Sequence, residues 1–108
     1  MASEAEVRVV LVTAPAGEAD GLGRALVAER LAACVNVVPG VRSIYRWQGE
    51  VKIDDEALLV IKTTEARLAG LTERVKALHS YELPEVLALP AVGGSEAYLG
   101  WLAGEVRA

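Results

Sequence analysis

The sequence predicts an α+β fold of the ferredoxin-like type, βαββαβ, with an additional C-terminal helix and a long projecting β-hairpin. Three observations lead there. Valine-rich apolar runs and two stretches of helical spacing follow one another as strand, helix, strand, strand, helix, strand. The segment from Cys34 to Val51 keeps its strand character far longer than so small a domain needs. A further helical stretch closes the chain. This order gives an antiparallel sheet with both main helices on one face, so the other face needs cover from the last helix or from neighbouring subunits.

Val7 to Thr13 is a β-branched run stopped by Ala14-Pro15-Ala-Gly17, a buried strand and its turn. Glu18 to Ala33 has helix-forming composition, with Leu22, Ala25, Leu26, Ala32 and Ala33 mostly on one side. β character resumes at Cys34 to Val38, and Pro39-Gly40 bends or bulges the strand before the long arm. Along the arm, Val41, Ser43, Tyr45, Trp47, Gly49 and Val51 alternate with Arg42, Ile44, Arg46, Gln48 and Glu50. Asp54-Asp55 is the expected turn, returning the chain through Ala57 to Ile61, an apolar run suited to a central strand. Glu65 to His79 carries Leu68, Leu71, Val75 and Leu78 at helical spacing, opposed by Arg67, Glu73, Arg74 and Lys76. Pro84 ends any continuation of it, Val86 to Leu89 forms the last strand, and Ser95 caps a helix bearing Leu99, Leu102 and Val106.

The arm is the feature with a consequence beyond the chain. Val41 to Val51 spans roughly 36 Å at about 3.3 Å per residue. A domain of this size has a radius of gyration of only about 13 Å. A bare edge carrying Tyr and Trp invites uncontrolled pairing, and burial against another subunit is the usual remedy, so a homo-oligomer is expected.

The 108 residues leave room for one domain, 1–108, and no linker. At 53% hydrophobic residues the chain is apolar for a small monomer, which suits either an alanine- and valine-rich core or surface buried between subunits. A net charge of −4 offers no attraction to phosphate backbones or anionic membranes, so neither nucleic acid nor a membrane is an expected partner. The single cysteine excludes an intrachain disulfide, and Met1 to Glu6 lacks the basic-then-apolar pattern of a signal peptide. A cytoplasmic protein is expected.

The segments Leu31-Ala-Ala-Cys34-Val-Asn36-Val-Val-Pro39-Gly40, Ser43-Ile-Tyr45-Arg-Trp47-Gln-Gly49, Lys62-Thr63-Thr64, His79-Ser-Tyr81 and Leu83-Pro84-Glu85 together resemble the CutA family of divalent-cation tolerance, in order and over nearly the whole chain. The resemblance implies a tight homotrimer in which the long hairpin reaches into neighbours, a subunit arrangement like that of the PII signalling proteins, and a part in tolerance of copper and other divalent metals. Three positions depart from the family pattern. His79-Ser80-Tyr81 stands where His-Pro-Tyr is common, and Val12 and Leu78 stand where some members carry a further cysteine and histidine. A copper site on that larger ligand set is incomplete here, leaving His79 as the carried-over ligand.

Two sets of residues are candidates for chemistry. Cys34 and His79 are the soft and borderline donors that copper prefers, although one of each makes a poor site unless symmetry gathers several copies. Cys34 reads more readily as a small buried hydrophobe at a strand start, and His79 as a complement to a helix C-terminus. Tyr45, Trp47, Glu56, Lys62, Tyr81 and Glu85 form the second set, because the hairpin should bring Glu56 and Lys62 near the aromatic strand of this chain or the next. Such a mixture in a concave intersubunit cleft suits a small anionic or zwitterionic ligand; the alternative is interface packing, with Trp47 as an anchor. Ser43 has no adjacent base, no glycine-rich phosphate loop is present, and nothing requires an enzyme. The readings left open are a trimeric metal-response protein, with or without copper bound directly, a PII-like module holding a small metabolite, and a scaffold that binds nothing.

Overall fold

The computed structural model describes residues 6–107. Residues 1–5, on which the expectation of no leader rests, lie outside them. The elements run β1 (Val7–Ala14), α1 (Ala16–Ala28), β2 (Cys34–Trp47), β3 (Glu50–Thr64), α2 (Glu65–Leu78), β4 (Leu87–Pro90) and α3 (Glu96–Glu105). The strands form one antiparallel sheet in the order β2-β3-β1-β4, the ferredoxin-like arrangement with an added helix. No described helix is long and apolar enough to cross a membrane.

The core follows from strand alternation. Val10, Val12 and Ala14 share one face with Ala57, Leu59 and Ile61, and onto it pack Leu22 and Leu26 of α1 and Leu71 and Val75 of α2. The other face carries Val9 and Leu11 against Lys62 and Val60, with Leu87 and Leu89 beside them. Only one end of that face is covered, where Leu102 of α3 and Val106, which caps it, close over Val7 and Ala33. Val38, Leu87 and Leu89 stay exposed.

Two expectations are corrected. The first helix stops at Ala28 rather than Ala33, because Arg30 adopts a left-handed backbone with φ 58°. There the Leu31 N–H donates to the Leu26 carbonyl at 2.9 Å and the Arg30 N–H to the Val27 carbonyl at 3.1 Å, the double closure of a Schellman end, with arginine where glycine is usual. The hairpin turns at Gln48–Gly49, not at Asp54–Asp55. Trp47 pairs with Glu50, and φ values of 50° and 83° at the two turn residues are those of a type I′ turn, the form that matches strand twist. Asp54 and Asp55 instead lie within β3, opposite Ser43 and Arg42.

The bend expected at Pro39-Gly40 is a bulge. Between Val38 opposite Leu58 and Val41 opposite Glu56, β2 holds one residue more than β3, with Gly40 at φ 76°. Before the bulge Cys34, Asn36 and Val38 face away from α1 and α2; after it Val41, Ser43, Tyr45 and Trp47 do. β1 pairs with β3 only from Ala57 onward, so Glu50–Glu56 and their partners in β2 leave the sheet as a two-stranded arm. The molecule accordingly measures 47 × 25 × 22 Å.

Candidate functional site: a cleft at the root of the arm

α2 delivers the chain to the end of the sheet from which the arm leaves. His79 caps this helix, and its own N–H donates to the Val75 carbonyl at 2.8 Å. Its buried imidazole then fixes the following turn. Nε2 lies 2.8 Å from the Thr13 carbonyl, which can only accept, while Nδ1 receives the Tyr81 N–H at 3.1 Å. The ring is therefore the neutral Nε2–H tautomer, with both nitrogens engaged. Its plane lies tilted against Tyr81, ring centroids 4.6 Å apart, so one side chain sets both the path and the aromatic wall of segment 80–87.

Between that segment and the arm is a hollow of about 1040 Å³ lined by Tyr45, Trp47, Glu56, Tyr81 and Glu85 among others. Five of the six residues expected to form a cleft thus border one. Glu56 is its deepest charge: the residue is 5% exposed and its Oε2 has no hydrogen-bond partner among the described residues. Tyr45 donates its phenol proton to Asp54. That bond, then burial and the charges of Asp54 and Glu56, pushes the Tyr45 pKa up. For Tyr81 burial comes first, followed by a hydrogen bond toward Glu56 and the charges of Glu56 and Asp54, and its pKa is pushed well above the usual phenol value.

Lys62 is not in this cleft of its own chain. It lies opposite Cys34, at the far end of the sheet, and donates to the Asn36 Oδ1. The misplaced turn accounts for the difference, since a reversal at Asp54–Asp55 sets Lys62 opposite Trp47, whereas the Gln48–Gly49 turn together with the bulge sets it opposite Cys34. Asp54 was missed for the same reason. Once the register is right, it lies diagonally across from Tyr45 on the same face, within reach of a long side chain.

Cys34 is half-buried and unpaired, its Sγ 3.9 Å from Asn36 Oδ1. It lies beneath Tyr98 of α3, whose pKa is raised by burial and then by Cys34. Cys34 pairs with Lys62, which stands opposite Val9, whereas His79 bonds the carbonyl of Thr13, four residues or about 13 Å further along β1. The two donors of one chain cannot share an ion, and His79 would have to give up a structural hydrogen bond to offer either nitrogen. Among the described residues no group of three or more His, Cys, Asp or Glu side chains is placed to hold a metal. The described residues of a single chain do not fit a copper site.

The family described as CutA1 divalent ion tolerance protein matches residues 8–105. This chain belongs to the CutA family. It is 59% identical to the divalent-cation tolerance protein CutA of Thermus thermophilus over 87% of this chain and 92% of that protein. It is also 53% identical to the chloroplastic CutA of Arabidopsis thaliana over 92% of this chain, though it spans only 55% of that longer relative. Among solved structures, CutA1 of Thermus thermophilus superposes with a TM-score of 0.90 at 55% identity, covering 92% of this chain and 97% of that one. The PII-like CutA of Nostoc sp. PCC 7120 gives 0.87 at 33% identity, covering 93% and 97%. Divalent-cation tolerance is thus the family's process, and the fold is the PII-like one.

Proposed function

We propose that this chain is a single-domain, homotrimeric module of the PII-like kind that serves divalent-cation tolerance by binding a small molecule in the cleft at the root of its arm. The observation that carries the reading is Glu56, a buried carboxylate with an unpartnered oxygen at the floor of a hollow walled by Tyr45, Trp47 and Tyr81. A buried charge is costly unless something pairs with it, and a concave site with aromatic walls and few polar groups is the ordinary form of a small-molecule pocket. Assembly is supported by the arm and by Leu87, Leu89 and Val38 on the uncovered sheet face, an exposed apolar area of the kind that subunit contacts bury. Three copies, rather than two or four, come from the family resemblance. The unpaired thiol of Cys34 favours a reducing compartment, the cytoplasm. Copper, if bound, requires donors from more than one subunit.

The test is one preparation measured in three ways. Mass across dilution should give three chains. A thermal-shift screen of metabolites should give a saturable rise in Tm that Trp47→Ala abolishes while the mass is unchanged. Copper titration should respond no differently in Cys34→Ala and His79→Ala than in the parent. A monomer, or a screen with no saturable signal, overturns the proposal.

A further inference from the structure

We propose that the cleft at the root of the arm selects small organic cations, ammonium or guanidinium compounds, over anions. This rests on reading the cleft as a ligand site and names the class of ligand. With Lys62 at the far end of the sheet, the charge of the hollow is no longer mixed. Glu56, Glu82 and Glu85 line it and Asp54 stands behind Tyr45, against a single lining cation, Arg46. Arg46 belongs to the strand face opposite that of Glu56, because its partner across the ladder is Val51.

The hydrogen-bonding capacity points the same way. An anion needs donors, but the Tyr45 phenol proton is given to Asp54 and the one lining cation, Arg46, is exposed. The most deeply buried group left over is an acceptor: Oε2 of a residue that is 5% exposed, without a partner among the described residues. A charged N–H donor satisfies that oxygen and neutralises its charge in one contact, a stronger bond than a neutral donor makes. The faces of Trp47 and the two tyrosines add attraction for the same charge. A bare divalent ion is a poorer match, since calcium takes six to eight oxygen ligands and the described carboxylates form no group close enough to supply them.

Calorimetric titration of the intact assembly at low salt, with agmatine as the organic cation, ADP as the anion and magnesium chloride as the bare ion, tests this. Agmatine should bind saturably, more weakly as salt rises, and at least tenfold more weakly to the isosteric variant Glu56→Gln. Glu85→Gln, at an exposed position that leaves the fold alone, should weaken it by a smaller factor. Agmatine binding that survives both substitutions overturns the inference. So does ADP binding that Trp47→Ala removes while agmatine gives no heat, a result that keeps the cleft as a ligand site and discards only its charge preference. If agmatine and ADP both fail, the cleft reading falls as well. If Glu56→Gln alters the mass of the assembly and agmatine never binds, Glu56 serves a Lys or Arg of a second copy, and the small-cation site is excluded.

Discussion

The inner and outer halves of the β2–β3 hairpin belong to one ladder yet differ in almost everything else. Ile61 and Leu59, in the inner half, have β1 on one side, β2 on the other and two helices above, and both are fully buried. Ile53, eight residues earlier in the same strand, faces Ile44 across the ladder; the two are 62% and 66% exposed. Residue type is the same and burial is opposite. What decides burial here is the number of lateral neighbours, and the arm has one where the core has two. The inner half can stabilise a single chain, whereas the outer half spends apolar residues that gain little until another surface covers them.

That contrast breaks most visibly in the core. Leu59→Ala should cost about 2–5 kcal/mol, the range for truncating a buried leucine, read as a lower urea midpoint with unchanged slope. A loss below 1 kcal/mol would mean that the inner half depends on assembly as much as the outer does. Ile53→Glu should do the reverse, weakening assembly at least tenfold by mass across dilution while the separated chain keeps its far-ultraviolet circular dichroism. An assembly indifferent to this change would show that the arm stays in solvent. The smallest effect lies between the halves, at Tyr81. Its native pKa is raised above the ordinary phenol value of about 10, so the benefit is complete below that pH. Above it the unfolded chain releases the proton first, binds fewer protons than the native state, and stability falls as pH rises. Tyr81→Phe should flatten that part of the decline in Tm between pH 9 and 11 while leaving neutral pH nearly unchanged.

The same contrast explains what could be read from the sequence. The inner elements announced themselves because burial imposes a period: Val7 to Thr13, Ala57 to Ile61 and the stripe Leu68, Leu71, Val75 can be read without ambiguity. The arm's alternation shows that it is a strand but does not mark where it turns. Asp54-Asp55 has the composition of a turn but sits in an exposed strand where charge costs nothing, while Gln48-Gly49 lacks the Asn or Asp that usually marks a type I′ turn. Arg30 hid the end of α1 in the same way, as a residue with no signature for a left-handed backbone. The site was therefore legible in part. Tyr45, Trp47, Glu56, Tyr81 and Glu85 border one hollow of a single chain, where a cleft between subunits was expected, whereas Lys62 and Asp54 exchanged roles because both depend on a register that the turn and the bulge fix. His79 was singled out for its chemistry; its place in the structure is to hold Thr13 and Tyr81 together.

The extra residue at Pro39–Gly40 works like a frameshift written in three dimensions. Upstream of it even-numbered positions of β2 look away from the helices, and downstream odd-numbered ones do. Delete one residue there and the ladder becomes regular: Val41 still meets Glu56 and Tyr45 still meets Lys52, so the aromatic residues keep their side and only the local bend is lost. The bulge thus absorbs a change of phase within β2, while unbroken β3 and the turn at its start decide which side chains reach the cleft.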